Sequence, residues 1–492
     1  MDILIENVNV LSPDQGTMLE RQNVAIENGR IACITPEPLV PQATTRRISG
    51  THRLLIPGLI SAHAHSPENF LKARIEAVPL EFWLFDLFSS SFAFTERETY
   101  LAAMIGAIEL LKTGGTAILD HFWVNGPMNA AALDAVMAAY RDVGIRAGVA
   151  PLVEDDHKIN EMILRENPGL AGGVYGTTPP IDAEGYLSVL EGFFKKWHGA
   201  ENGRLQCLAG PSGAQWCSER LMLGGMEIAE RYDGGYHMHV EETKLQAVSC
   251  RKFFGCSTVA YLAERGLLRP RTSLAHCVWI DDHDIDLIGE ANATVVHNSV
   301  CNLKLGSGFA PVLSMVERGV HVALACDGAA SNDNVVMFDA MKTAGLMHTV
   351  RDPNHRHWLR AQKIVQMATM EGARTLRLEG ELGVIKPGAR ADLALLDLTT
   401  PAFTPLNDPF QHLVYCERGS SVRMVLVDGR VVVDEGKVVT VDEAAILAEA
   451  REVWARRKRD IPPISPEGQK FLAAQELYQQ HIMAEPFVVD RY

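Results

Sequence analysis

Short apolar segments alternate with longer segments of helical periodicity along most of the chain. Helix candidates such as residues 95–115 separate the apolar segments, and Gly114 and Gly115 are expected to end that helix. Near-continuous apolar strands that alternate with helices indicate a parallel sheet covered by helices. The eight apolar segments are 53–65, 115–123, 145–153, 204–213, 235–243, 272–280, 293–301 and 320–329.

Eight strand–helix units over about 270 residues match the size of a (β/α)₈ barrel. The sequence therefore predicts an α/β protein whose barrel, of the TIM type, spans residues 53–384. A doubly wound open sheet is the alternative, because periodicity alone does not show whether a sheet closes on itself.

The two ends of the chain have a different pattern. Residues 1–52 and 385–440 carry short alternating strands with turn signals, including the Asp-Gly and Glu-Gly pairs of VRMVLVDGRVVVDEGKVV. These two segments are predicted to form one small β-sandwich domain beside the barrel. Residues 441–492 are predicted to be a C-terminal helix, interrupted by PPISPEG, and a tail that packs on the barrel or on a second subunit.

Composition narrows the class of protein. The net charge of −15 and the pI of about 5.6 argue against nucleic acid or an anionic membrane surface as a partner. No apolar stretch reaches the roughly 20 residues of a membrane helix, and the start of the chain resembles a strand rather than a signal peptide. The nine cysteines form no Cys-x-x-Cys pair, which favours a cytoplasmic protein with reduced thiols.

Potential metal ligands collect at the ends of the predicted strands. His63 and His65 are two residues apart, so they point to the same side of a strand, and on the fifth strand His237 and His239 do the same. In parallel α/β barrels the functional groups lie at the carboxyl ends of the strands. The further candidates at strand ends are Glu241, Glu242, His276, His297 and Asp327.

The chemistry of these side chains favours one kind of ion. Three neutral imidazoles and one carboxylate suit Zn²⁺ and accept Fe²⁺, whereas Ca²⁺ and Mg²⁺ prefer more oxygen ligands. The sequence therefore predicts one divalent metal ion, Zn²⁺ in the first place.

Six segments together resemble the amidohydrolase superfamily, and within it the branch of s-triazine hydrolases, guanine-type deaminases and adenosine-derivative deaminases. The resemblance runs from residue 1 to about residue 435. It rests on PGLISAHAH (57–65), HMHVEET (237–243), AHCVWI (275–280), HNSVCNLKLGSG (297–308), CDGAASND (326–333) and LGVIKPGARADLALLDL (382–398).

The resemblance implies a role for each candidate residue. One divalent metal is expected to be bound by His63, His65, His239 and Asp327, with Glu242 and His276 beside it. The family pattern of a ligating histidine followed three residues later by glutamate selects His239 over His237. Glu241 then points away from the site.

The implied mechanism is that of a metal-activated water. Glu242 is expected to take the proton of the water and deliver it to a ring nitrogen or to the leaving group. Asp327 is expected to hydrogen-bond the water as well as ligate the metal, and His276 to orient the water. Two-metal relatives use a carboxylated lysine on the fourth strand, and RLQCLAGPSGAQW (204–216) offers none, so one metal is expected.

The residues that select the substrate are predicted less directly. Adenosine-derivative deaminases typically carry a PHAPY-like segment after the fourth strand, whereas this chain has GPSGAQW (210–216), which is closer to the s-triazine hydrolases. Phe85, in the long aromatic segment after the first strand, is a further candidate for the pocket or its lid. The substrate-binding candidates are Trp83, Gln215, Asn302 and Ser331.

The predicted function is hydrolytic displacement of ammonia, an amine or halide from an sp² carbon of a nitrogen heterocycle, most simply deamination. A metal-dependent amidase or carbamate- or urea-type hydrolase is the second possibility, and a silent binding protein on the same barrel is the third. The expected partner is a small heterocyclic substrate, and the resemblance implies a homo-oligomer.

Overall fold

The computed structural model of the chain describes residues 1–89, 93–170 and 182–492. The strands divide between two sheets. In chain order they are β1 (Ile3–Ser12), β2 (Thr17–Glu27), β3 (Arg30–Thr35), β4 (Arg46–Ser49), β5 (Arg53–Pro57), β6 (Leu59–Ala64), β7 (Gly115–Phe122), β8 (Arg146–Val153), β9 (Leu205–Pro211), β10 (Gly235–Val240), β11 (Thr272–His276), β12 (Thr294–His297), β13 (His321–Leu324), β14 (Leu393–Asp397), β15 (Val422–Val427), β16 (Arg430–Asp434) and β17 (Lys437–Val438).

The eight strands β6–β13 form a parallel sheet in sequential order, which is the arrangement of a (β/α)₈ barrel. The two ends of this sheet approach each other, because the Asp327 amide beyond β13 donates to the His63 carbonyl of β6 at 3.1 Å. The predicted α/β barrel is confirmed, and the open doubly wound sheet is not found.

Helices follow most strands and cover the barrel from outside. Many begin at a side-chain cap, as α2 does, where Thr95 and Glu98 form a capping box, and α2 ends at Lys112, just before the predicted Gly114. The helices are α1 (Leu80–Ser89), α2 (Glu96–Lys112), α3 (Ala130–Val143), α4 (Lys158–Glu166), α5 (Ala183–Trp197), α6 (Ala200–Gly203), α7 (Glu219–Arg231), α8 (Lys244–Phe254), α9 (Thr258–Glu264), α10 (Asp282–Glu290), α11 (Ser299–Lys304), α12 (Val312–Glu317), α13 (Met337–Met347), α14 (Ala361–Met367), α15 (Met370–Thr375), α16 (Pro409–Gln411), α17 (Glu443–Arg457) and α18 (Pro466–Ala484).

The second sheet is built from both ends of the chain, as predicted. Its strands run in the order β17-β16-β15-β14-β5-β1-β2-β3, and β4 pairs with β1. The apolar segment 53–65 is divided between the two sheets, since β5 belongs to the second sheet and β6 to the barrel. The chain passes from the second sheet to the barrel at Gly58, and not at residue 53 as predicted. A Cβ atom at position 58 would lie 2.0 Å from Thr116 Oγ1.

A buried arginine joins the two sheets. Arg146 of β8 is fully buried, and its Nε and Nη2 atoms donate to the two carboxylate oxygens of Asp392 at 2.8 and 3.0 Å. Arg146 also donates to Asp428, which lies between β15 and β16. The two carboxylates outweigh burial and raise the pKa of the guanidinium further, so the barrel and the second sheet share a charged connection.

The C-terminal segment contains one helix more than predicted. Helix α17 lies within the predicted range, but the tail forms α18, which begins inside PPISPEG with Ser465 as its N-cap and Pro466 in its first turn. The tail packs on the barrel, where Lys244 Nζ donates to the carbonyls of Met483 and Glu485 at 2.9 and 2.7 Å.

Over the ranges that the structure describes, none of the helices combines the length and the apolar character that crossing a bilayer requires.

Candidate active site

Four strands of the barrel bring polar side chains to the same end of the sheet. His63 lies on β6, and His65 directly follows that strand. His239 lies on β10, His276 is the last residue of β11, and Asp327 lies beyond the end of β13. His276 and Asp327 have φ angles of 73° and 65°, a left-handed conformation that non-glycine residues rarely adopt. Such backbone conformations are concentrated at functional sites.

Four side chains converge on one point. Asp327 Oδ1 lies 3.5 Å from both His63 Nε2 and His65 Nε2, and His239 Nε2 lies 3.4 Å from His65 Nε2. Ligands bound at about 2.0–2.1 Å in a tetrahedral zinc site are about 3.3–3.4 Å apart. These three ligand-to-ligand separations match the spacing in a tetrahedral zinc site.

Each of the three imidazoles is held in place through Nδ1, the ring nitrogen that does not face the cluster. Nδ1 of His65 lies 2.7 Å from the His121 carbonyl, and Nδ1 of His239 lies 2.7 Å from the Ser212 carbonyl. A carbonyl can only accept, so Nδ1 carries the proton in both rings and Nε2 keeps a free lone pair. Such contacts hold metal-ligating histidines in the correct tautomer and orientation.

His63 is fixed by a chain of side chains instead. Its Nδ1 lies 2.7 Å from His237 Nε2, and His237 Nδ1 lies 2.7 Å from Ser273 Oγ. If His63 Nδ1 donates, His237 must in turn donate to Ser273, whose hydroxyl donates to the Tyr236 carbonyl at 3.4 Å. His237 therefore contacts His63 rather than the point where the four side chains meet.

Burial keeps these rings neutral. It lowers the pKa of His63 to about 4, despite the opposing charge of Asp327, and it lowers the pKa of His237 and His239 well below the usual range. Burial alone would raise the pKa of Asp327, but the neighbouring imidazoles hold that pKa well below the usual range. His63 and His239 therefore offer neutral nitrogens and Asp327 an ionised carboxylate, the protonation states that metal ligands need.

The residues fit a divalent metal ion. His63 Nε2 is buried and has no hydrogen-bond partner among the described residues, and a buried polar atom of this kind is rare unless it has a ligand. His63, His65 and Asp327 form a group whose ligand atoms lie within 4.8 Å of one another, and so do His63, His239 and His276.

Glu242 and His276 lie beside the four-residue cluster. Glu242 Oε2 is 3.5 Å from His276 Nε2, and that nitrogen is 3.7 Å from Asp327 Oδ2. Ser307 Oγ donates to Glu242 Oε1 at 3.1 Å. Burial raises the pKa of Glu242 to about 7, an effect that His276 weakens and Asp327 strengthens. A carboxyl group with this pKa can both accept and donate a proton near neutrality.

The loop after β6 contributes a second buried carboxyl group. Glu68 lies in a short 3₁₀ helix, and its Oε2 accepts from the Ala330 amide at 3.0 Å. A Cβ atom at Gly328 would lie 1.9 Å from that oxygen, so only glycine leaves room for Glu68 next to Asp327. Burial, followed by the charge of Asp327, raises the pKa of Glu68 well above its usual range.

A cavity with mainly apolar walls opens above the cluster. One face of α1 forms much of its wall, since Leu80, Trp83, Leu84, Leu87 and Phe88 follow the i, i+3, i+4, i+7 spacing. The other lining residues are His65, Glu68, Trp123, Leu152, Glu154, Ser212, Trp216, His239, Glu242, His276, Cys301, Leu305, Asp327 and Ser331.

Of the predicted substrate contacts, Trp83 and Ser331 line this cavity, whereas Gln215 and Asn302 do not. Asn302 Oδ1 instead lies 3.0 Å from His276 Nδ1, so it positions that ring. Phe85 points away from the cavity and stacks on Phe471 of α18 at a centroid distance of 5.9 Å.

Two other strand-end candidates have partners outside the cavity. Glu241 accepts from the Thr258 amide at 2.7 Å and pairs with Arg251 at 3.3 Å, so it points away from the site as expected. His297 Nε2 lies 3.3 Å from His348 Nε2.

Sequence reasoning missed several cavity residues. Glu154 directly follows the apolar segment of β8, so the strand-end rule applied to the third strand would have found it. Ser212 and Trp216 lie in GPSGAQW, the segment where only Gln215 was selected. The same rule would have found Trp123, which directly follows β7. Glu68 and Cys301 carry no comparable signal, because each depends on how a short helix folds over the barrel.

A (β/α)₈ barrel with a three-histidine, one-aspartate cluster, an adjacent carboxyl and imidazole, and an apolar cavity above them defines a metal-dependent hydrolase. The sequence profile described as "Amidohydrolase family" matches residues 54–432. The chain belongs to the amidohydrolase family, and the predicted enzyme class, a hydrolase acting on carbon–nitrogen bonds other than peptide bonds, is confirmed.

Characterised relatives cover almost the whole chain. The 5'-deoxyadenosine deaminase of Methanothermobacter thermautotrophicus is 34% identical over 88% of this chain and 94% of its own. The 5-methylthioadenosine/S-adenosylhomocysteine deaminase of Nitratidesulfovibrio vulgaris is 32% identical over 92% and 97%. The crystal structure of the atrazine chlorohydrolase of Arthrobacter aurescens complexed with zinc superposes with a TM-score of 0.84 at 26% identity, covering 92% of this chain and all of that one.

Proposed function

We propose that this amidohydrolase is a zinc-dependent aminohydrolase that removes an amino group from a ring carbon of a nitrogen heterocycle. The observation that carries the proposal is the convergence of His63, His65, His239 and Asp327 on one point, with Glu242 and His276 within 3.7 Å of one another or of Asp327. Relatives that are deaminases of adenosine derivatives and a zinc-containing structural neighbour support it.

His63, His65, His239 and Asp327 would hold the ion at the floor of the cavity. A divalent cation held there supplies the Lewis acid that makes water a good nucleophile at neutral pH. Trp83, Trp123 and Trp216 present flat aromatic surfaces to the cavity, which suit a planar heterocycle and exclude water from it.

Glu242 moves the proton. Its Oε2 faces the site beside His276, and its pKa of about 7 lets it take a proton from water and return it to a ring nitrogen or to the departing amine. Asn302 Oδ1 accepts from Nδ1 of His276, so Nε2 of that ring faces Glu242 and Asp327 and can accept a hydrogen bond from the attacking water.

Two measurements on the purified protein test the proposal together. We expect about one zinc ion per chain by elemental analysis, and release of ammonia from at least one compound in a panel of aminotriazines, aminopurines, adenosine derivatives and aminopterins. A protein without stoichiometric metal would contradict the ligand assignment. Release of an amine and carbon dioxide without hydroxylation of a ring would identify the amide- or carbamate-type hydrolase instead.

A further inference from the structure

Glu154 is a carboxyl group of the cavity to which the mechanism above gives no role. Glu154 follows β8, its side chain is 17% exposed, and its Oε1 accepts from Ser212 Oγ at 3.0 Å. The Ser212 carbonyl in turn accepts from His239 Nδ1 at 2.7 Å. Glu154 is thus connected to the proposed metal site through a single residue and faces the same cavity.

No cation compensates for this carboxyl group among its described neighbours. Its Oε2 lies 3.6 Å from His157 Nδ1, beyond hydrogen-bond distance. Burial lowers the pKa of His157 to about 4, so that ring is uncharged at neutral pH. The nearby Lys158 donates instead to Asp156 at 2.6 Å and to two backbone carbonyls.

The cavity also lacks a group that could bind an anion other than the metal site itself. Its described lining contains no lysine or arginine, and Lys304 next to it donates to Asp333 and to the Ala330 carbonyl. Segments 90–92 and 171–181, outside the described residues, contain no Lys, Arg or His in their sequence. Burying an uncompensated carboxylate or phosphate is unfavourable, whereas tryptophan rings attract cations.

We propose that Glu154, held by Ser212, is the specificity residue that binds an N–H-bearing substituent of the substrate, preferably a protonated amine. The same cavity rejects heterocycles that carry a carboxylate or a phosphate. This inference rests on the proposed function, because it names the class of substituent that the aminohydrolase accepts beside the ring that it deaminates.

Three compounds with the same ring isolate the effect of the substituent. They are 5'-deoxyadenosine, its 5'-amino derivative and adenosine 5'-carboxylate, which are neutral, cationic and anionic at pH 7. With the zinc-loaded enzyme we expect kcat/KM to fall in the order amine, neutral compound, carboxylate, with the amine preferred over the carboxylate by about 100-fold.

Variants at Glu154 assign this order to one side chain. Glu154→Gln keeps the shape of the residue and an oxygen that can accept from Ser212, and we expect it to raise KM for the amine about tenfold with little change in kcat. Glu154→Asp should restore part of the preference, and Glu154→Lys should favour the carboxylate. Glu161→Gln, which removes an exposed carboxylate paired with Arg165 on α4, is the matched control.

Ligand-induced shifts of Tm distinguish the two proposals. If no compound of the panel above releases ammonia but the 5'-amino derivative still raises the Tm of the zinc-loaded protein most, the aminohydrolase proposal is wrong and the role of Glu154 stands. If the amine raises Tm no more than the carboxylate does, or if Glu154→Gln keeps the order measured for Glu161→Gln, Glu154 does not select the substituent.

Discussion

The floor and the wall of the cavity are built in different ways. The floor consists of residues at the ends of barrel strands, and its imidazoles are each held through Nδ1 by a carbonyl or a side chain. The wall is one face of α1 together with loop residues that pack through apolar contacts. The floor therefore depends on exact hydrogen bonds, whereas the wall depends on shape, so substitutions in the two regions should fail differently.

The largest effect is expected from removing a ligand at the floor. His239→Ala should lose the metal and reduce kcat/KM by about 10³-fold or more, because the nucleophile is no longer activated. Elemental analysis and an ammonia assay on the same preparation measure both quantities. His283→Ala, an exposed histidine at the start of α10, is the control, and equal metal content in the two variants would exclude His239 as a ligand.

Removing the proton carrier should affect chemistry without affecting the metal. Glu242→Gln is expected to keep stoichiometric zinc and to lower kcat by about 10²–10⁴-fold. Glu241→Gln changes the adjacent residue, which pairs with Arg251 outside the cavity, and should keep kcat within a few-fold. Near-wild-type turnover of Glu242→Gln across the pH range would show that another group moves the proton.

Removing the hydrogen-bond partner of a metal ligand should have a smaller effect than removing the ligand itself. His237→Phe leaves His63 Nδ1 without its partner, and we expect the affinity for zinc to fall about 10–100-fold, as for other residues that orient metal ligands. A titration of the apoenzyme against a zinc chelator measures the change. His237→Gln can still accept a hydrogen bond and should recover part of the affinity; an unchanged affinity in the Phe variant would rule out this role.

In the wall, two aromatic residues on opposite sides of α1 should separate binding from stability. Trp83→Ala is expected to raise KM about tenfold at unchanged metal content, because an aromatic contact with the ring is lost. Phe85→Ala, which removes a stack on α18, should instead lower the free energy of unfolding by about 3–5 kcal/mol with KM little changed. The assignment of the two sides fails if the effects are exchanged.

The smallest effect concerns pH. Burial raises the pKa of Glu154 to about 7. The contribution of this side chain to the free energy of unfolding is therefore fully present below about pH 4.5 and is lost as the pH rises through 7. Glu154→Gln removes this dependence. The free energy of unfolding of the variant minus that of wild type should therefore be larger at pH 8 than at pH 5, by up to about 3 kcal/mol. Chemical denaturation at the two pH values measures it, and a difference of the opposite sign would mean that Glu154 is stabilised as the charged form.

The floor could be predicted from the sequence because two independent rules point to the same residues. The strand-end rule selects His63, His239 and Asp327, and the family motifs then separate His239 from its neighbour His237. The fold could be predicted for a similar reason, since an alternation of strands and helices repeated eight times leaves few arrangements of the chain.

The wall could not be predicted to the same extent, because side-chain direction depends on local structure that no motif marks. Trp83 and Phe85 were both candidates, yet on a helix two residues apart lie on different sides, and only the former lines the cavity. Gln215 follows the fourth strand, but the turn that begins at Gly213 directs it towards Cys250, and its neighbour Trp216 lines the cavity instead.

The hydrogen bond between Asp327 and His63 joins the last barrel strand to the first, and the same two residues are proposed to bind one ion. A bound ion would therefore cross-link parts of the chain that are more than 260 residues apart, in addition to its role in chemistry. Ligands that bind only the folded state stabilise it. Here the stabilised contact would be the one between the first and the last barrel strand. Amide exchange at Asp327 should be slower in the zinc-loaded protein than after chelation, and equal rates would mean that the barrel closes without help from the metal.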